Sequence, residues 1–164
     1  YDYVVLDVFN GDTTPGHVLS LEALQVVRQR MTDRGILAVN LIGSLKRETF
    51  MTASIIETIR QVFATVRVYP VFYPEGEVAW GNLAVIAHNG PLIPFNAAVV
   101  RSFPVHQLAE HSVREVMGRT FSFPANTAAI ILTDDYNPVD FYDTWLKEEL
   151  RKNILKNQDA DILS

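Results

Sequence analysis

Apolar residues along this chain fall into short unbroken runs, separated by stretches in which they recur at helical spacing. Tyr3, Val4, Val5 and Leu6 form the first run, closed by Asp7. A run apolar at every position predicts a strand covered on both faces, as in parallel sheets. Leu21, Leu24, Val27 and Met31 then recur at helical spacing behind Ser20, an N-cap residue, and Gly35 stands where a C-terminal cap is expected. Residues 36–42 predict a second buried strand. Ser44 is expected to open another helix, with Ile55, Ile56, Ile59 and Phe63 on one face. Residues 66–72 and 82–88 predict two more strands, and the Pro- and Gly-bearing stretch 73–81 is short enough for a hairpin connection. The order strand, helix, strand, helix, strand, strand predicts an α/β domain with parallel strands and an antiparallel pair at the end.

The carboxyl-terminal part is less regular. Pro91, Pro94 and Pro104 punctuate a loop, and Val105, Leu108, Val113 and Val116 predict a helix over 105–119. Residues 121–137 are irregular apart from the apolar run 128–132. A last helix is expected after Pro138, with Phe141, Trp145 and Leu146 inward.

The 164 residues suffice for one domain, and 48% hydrophobic with 20% charged residues excludes disorder and coiled coil. With no cysteine, disulfides, thiolate nucleophiles and Cys-ligated metals are excluded. No apolar run approaches ~18 residues and no leader opens the chain, so a cytoplasmic protein without membrane contact is expected. The net charge of −5 comes without any cluster of Lys and Arg, which argues against a nucleic-acid partner. The first strand begins almost at residue 1, with no loop or cap before it. That predicts a piece of a longer protein.

Three segments carry groups able to do chemistry. Asp7 stands at the carboxyl end of a predicted parallel strand, where ligands of open α/β sheets bind, and Asp12 follows on the same loop. Two such carboxylates can serve one ligand, one taking a proton while the other anchors a cation. On spacing alone, the plainer reading is a strand end at Asp7 and a Gly-Asp turn at Asp12. In YPEGE, Tyr73 can close over an apolar or cationic ligand and Glu77 can hold a charge, or the segment is an ordinary turn. In LTDDYNPVD, Asp134 and Asp135 are ligand groups or a solvated cap. His17, His88, His106 and His111 lack metal-ligand spacing, so no metal is expected; GxSxG, Walker and GxGxxG loops are all absent as well.

Together these segments resemble the polyamine aminopropyltransferases, the spermidine and spermine synthases, and in particular their bacterial relatives fused to membrane transporter domains. Asp7, Phe9, Asn10, Gly11, Asp12 and Pro15 match the family's Asp-aromatic-Ser/Asn-Gly-Asp pattern and following Pro. YPEGE followed by WG is similar to its Tyr-Pro-Ser-Gly segment, and LTDDYNPVD to its Leu-Thr-Asp-Asp-aromatic-x-Pro-Val-acidic motif. The resemblance covers about residues 1–146 and implies the carboxyl-terminal half of a Rossmann-like, methyltransferase-like sheet with helices on both faces. It implies aminopropyl transfer from decarboxylated S-adenosylmethionine, a co-substrate, to a diamine or polyamine. Asp7 then matches the proton-accepting Asp, and Asp12 or Asn10 the amine-holding position. Tyr73 and Glu77 fall on the substrate side, and Asp134 and Asp135 on a candidate active-site loop.

The family's glycine-rich cofactor loop precedes the part matched here, so the adenosyl pocket is expected to be incomplete and the isolated chain inactive. A tie of the parent protein to a transporter-like domain, and a homodimer or an amino-terminal half covering the first strand, are further expectations. The rival readings are an S-adenosylmethionine-dependent methyltransferase of the same architecture and a non-catalytic polyamine-sensing module.

Overall fold

The computed structural model describes residues 1–9, 15–76, 79–91, 98, 102–106, 118–142, 144, 147–148 and 151–152. Four strands form one sheet: β1 (Tyr3–Leu6), β2 (Ile36–Ser44), β3 (Thr65–Pro70) and β4 (Trp80–His88). Between them lie a 3-10 turn (Gly16–Val18) and the helices α1 (Leu21–Gln29) and α2 (Phe50–Arg60). The strand order is β1-β2-β4-β3. β1 and β2 pair in parallel, while β4 runs antiparallel to both β2 and β3. The expected terminal hairpin is therefore present, but its second strand is inserted between β2 and β3. As a result β1, β2 and β3 all point their carboxyl ends at one rim of the sheet, which the β3–β4 turn shares.

Leu37, Val39 and Leu41 of β2, Leu83, Val85 and Ala87 of β4 and Val68 of β3 project from one face into the core. Leu24 of α1 and Ile55, Ile56 and Ile59 of α2, with Phe63 just beyond it, meet them there. The apolar stripe read from the sequence is thus the buried one. Helices on both faces were expected, but α1 and α2 share this face. On the opposite face Ile36, Ala38, Asn40 and Ile42 are half-buried.

Several boundaries differ from the sequence reading. Ser20 does cap α1, its hydroxyl accepting from Ala23 N at 3.2 Å. The helix ends at Gln29, however, and Gly35 closes a later turn through a bond from its N to Thr32 O (2.9 Å). Its small size matters instead for close approach, since a Cβ there would lie 3.0 Å from Thr32 O. Ser44 does not open α2. It ends β2, and its amide donates to the Thr52 hydroxyl at 2.9 Å. β1 is not covered on both faces: Val4 and Leu6 pack against the core, while Tyr3 and Val5, on the other face, are 72% and 67% exposed.

The helix expected over 105–119 falls mostly on residues 107–117, outside the described ones. After Pro138 the chain turns helical, Phe141 N and Tyr142 N each donating to Pro138 O at 3.1 Å, but Phe141 is 76% exposed rather than inward. Trp145 and Leu146 lie outside the described residues.

The irregular segment around 130–132 crosses α2 by an unusual device. Ser54 and Thr58, one helical turn apart and fully buried, each donate back to the helix, to Phe50 O and Ser54 O at 2.7 Å. Their oxygens then accept the amides of Ile130 (3.0 Å) and Leu132 (2.9 Å). Leu132 O in turn accepts from Leu21 N at 2.8 Å. The side-chain hydroxyls satisfy buried backbone donors that have no strand partner.

Gly81 has φ +153°, and a Cβ there would lie 2.9 Å from Phe72 Cδ1. Gly81→Ala is expected to cost about 1–3 kcal/mol from backbone strain and the ring contact. Urea denaturation would read this as a lower midpoint at unchanged slope.

Candidate active site

Asp7 follows the last residue of β1 and stands, exposed, at the carboxyl rim. Its position is set across the sheet. β1 and β2 run in parallel with Leu6 beside Val39, so the next residue of β2, Asn40, comes opposite Asp7. Asn40 Nδ2 donates to Asp7 Oδ1 at 2.9 Å. Among the described residues this is the one hydrogen-bond partner of Asp7. The neutral side-chain amide, donating to one oxygen, orients the carboxylate. Sequence reading missed Asn40. Its signal was a polar residue inside the run ILAVNLI, where a half-buried amide needs a partner.

The other candidates divide. Asn10, Asp12 and Glu77 lie outside the described residues. Tyr73 begins the turn at the same rim, with Gly76 N donating to its carbonyl at 3.0 Å. The turn is drawn towards β2 by Leu45 N, which donates to Ala79 O at 2.9 Å. Tyr73 is 56% exposed, and the guanidinium carbon of Arg119 sits 4.0 Å from its ring centroid. No motif pointed to that arginine.

Asp134 and Asp135 are exposed, and the segment bearing them clamps the chain that leads from the Asp7 loop into α1. Asp134 N donates to Glu22 Oε2 at 2.9 Å, and Asn137 Nδ2 donates to Gly16 O at 2.7 Å. A Cβ on Gly16 would come within 3.1 Å of Asn137 Oδ1 and 3.3 Å of Val139 Cβ, so glycine permits this approach. Between the two segments opens a cavity of about 570 Å³, lined by His17, Glu22, Val26, Asp134 and Asp140 among others. Asp7 does not line it. Among the described residues no group of three His, Asp or Glu side chains could hold a metal ion, and no helix is long and apolar enough to cross a membrane.

No family model matches the chain. It is similar to an N-terminal histidine N-methyltransferase of Emericella nidulans, 33% identical over 69 residues, which is 42% of this chain and 12% of that protein. It is similar also to a polyamine aminopropyltransferase of Vibrio vulnificus, 33% identical over 63 residues, 38% of this chain and 20% of the other. Among solved structures, a probable spermidine synthase from Corynebacterium glutamicum superposes with a TM-score of 0.53 at 18% identity, over 79% of this chain and 47% of that one.

The mixed α/β fold is therefore shared with part of that probable spermidine synthase, and the sequence similarities are to transferases. The chain spans a fifth or less of its curated relatives and about half of the solved structure.

Proposed function

We propose that the chain supplies the acceptor side of an aminopropyltransferase-like enzyme, in which Asp7 takes the proton of an attacking diamine nitrogen. The observation that supports this most is the Asp7–Asn40 pair at the carboxyl rim, in a fold shared with a spermidine synthase. An ammonium has no lone pair and cannot attack carbon until it loses a proton. A carboxylate with one oxygen held by an amide can receive that proton on the other. Asp12 or Asn10 would hold the amine on the loop after Asp7, and Glu77 would add charge from the β3–β4 turn.

The donor this reading calls for, decarboxylated S-adenosylmethionine, supplies a carbon activated by an adjacent sulfonium. The residues present fit the acceptor and not the donor. The sequence holds no glycine-rich loop, and the outer edge of β1 has no further strand among the described residues. The contribution of this chain is to bind and deprotonate the amine. The apolar β1 edge would be completed by a strand from a second copy or from an amino-terminal half. A methyltransferase reading is favoured by the 33% identity to the histidine N-methyltransferase, and it would use Asp7 in the same way on another nitrogen.

Thermal unfolding with added ligand separates these readings. Putrescine or spermidine at a hundred times its Kd should stabilise the protein by about 2.7 kcal/mol, whereas an unrelated diamine should not. If no polyamine raises the melting temperature, the transfer and sensing readings both fall and the methyltransferase reading stands.

A further inference from the structure

We infer that Arg119 is a built-in cation that occupies the ring of Tyr73 and lowers the affinity of the active-site rim for organic amines. An exposed tyrosine ring suits an ammonium ligand, because the negative face of the ring attracts cations within about 6 Å of its centroid. Here a guanidinium already lies at 4.0 Å.

Arg119 is delivered by a seated segment. Two residues further on, Phe121 N donates to Val68 O at 2.9 Å, bridging the segment to the outer edge of β3. The Phe121 ring packs edge-on against Phe123 at 4.9 Å, and both rings lie against the core. An incoming ammonium must therefore displace Arg119 from its face of Tyr73, or bind the opposite face and meet a like charge across the thickness of the ring. Arg119 is on this account a specificity-determining residue: it selects against acceptors that rely on Tyr73 for a positive charge.

The choice of a diamine as ligand rests on the proposed function, but competition for the ring does not. The test accordingly uses two probes, tetramethylammonium, which reports on the ring alone, and putrescine. Binding of each is followed by NMR titration of the Tyr73 ring resonances in the wild type, R119Q and R119K, and by line broadening of the probe in the double variant R119Q/Y73L.

R119Q is expected to bind tetramethylammonium roughly three- to tenfold more tightly, the range of one cation–ring contact. R119K, which keeps the charge, should stay within about twofold of the wild type, and R119Q/Y73L should lose the gain. Unchanged or weaker binding by R119Q, equal tightening by R119K, or a gain that survives loss of the Tyr73 ring each overturns the inference. Tightening for tetramethylammonium with no response to putrescine in any variant upholds it and removes the diamine reading.

Discussion

Mixed with decarboxylated S-adenosylmethionine and putrescine, the 164-residue chain is expected to form no spermidine above a blank, and in the enzyme completed by a donor-binding half Asp7→Asn is expected to abolish most turnover. The first result follows from positioning. Holding an amine and an activated carbon in reacting geometry is worth roughly 7–11 kcal/mol, and under the proposed function this chain contributes only the amine's half of the arrangement. The second follows from the chemistry of the substituted group. Asn keeps the shape of Asp7 but cannot take a proton, and loss of a general base typically costs about 10²–10⁴-fold in rate, or roughly 3–5 kcal/mol. Asn40→Leu would be milder, since it leaves the carboxylate in place but removes the amide that orients it. A radiochemical assay of product reads both. Turnover by the chain alone would move the donor site into these residues, and an active Asp7→Asn enzyme would remove Asp7 from the role of base.

The second large effect concerns Leu132, which is fully buried although it belongs to no helix or strand. Leu132→Ala is expected to destabilise the protein by about 2–5 kcal/mol through lost burial and the cavity left behind. For a chain of this size that lowers the melting temperature by roughly 5–15 °C. The loss should not be uniform. The segment that holds Leu132 also carries Asn137, whose amide fixes Gly16 O, so amides in 16–20 should exchange faster with solvent than those of β4. Calorimetry and hydrogen exchange together check this. A melting point within 2 °C of wild type, to order of magnitude, would mean the segment does not anchor the core.

What the sequence showed of the fold was whatever periodicity reports. The Ile55, Ile56, Ile59 and Phe63 stripe, the Ser20 cap and the four strands were all legible, because each depends on residues close in the chain. Local signals could not say where β4 inserts, because an apolar run is equally suited to either side of β3. They also gave the wrong ends for α1 and α2. Gly35 carries the signature of a cap but serves close packing, and Ser44 carries that of a helix start but meets Thr52 at the end of a strand. Nothing in the helical pattern singles out Ser54 and Thr58, yet they hold the chain at 130 and 132.

The place of Asp7 at the carboxyl end of β1 was readable from the apolar run that it closes. Asn40 and Arg119 were not, because each acts on a residue far away in sequence. The clamp made by Asn137 on Gly16 explains a motif whose two aspartates drew attention, although the following asparagine makes the contact.

The insertion of β4 also bears on how the molecule is made. During synthesis β2 emerges with β1 on one side and nothing on the other, and its nine residues wait for a partner encoded after α2 and β3. An unpaired strand edge of that length invites association with other nascent chains. The β3–β4 pair is local and can form as a unit before it slots against β2. Sheet closure is then a docking event between two pieces, and the free edge of β2 stays open to other chains until the last strand of the four is available to cover it.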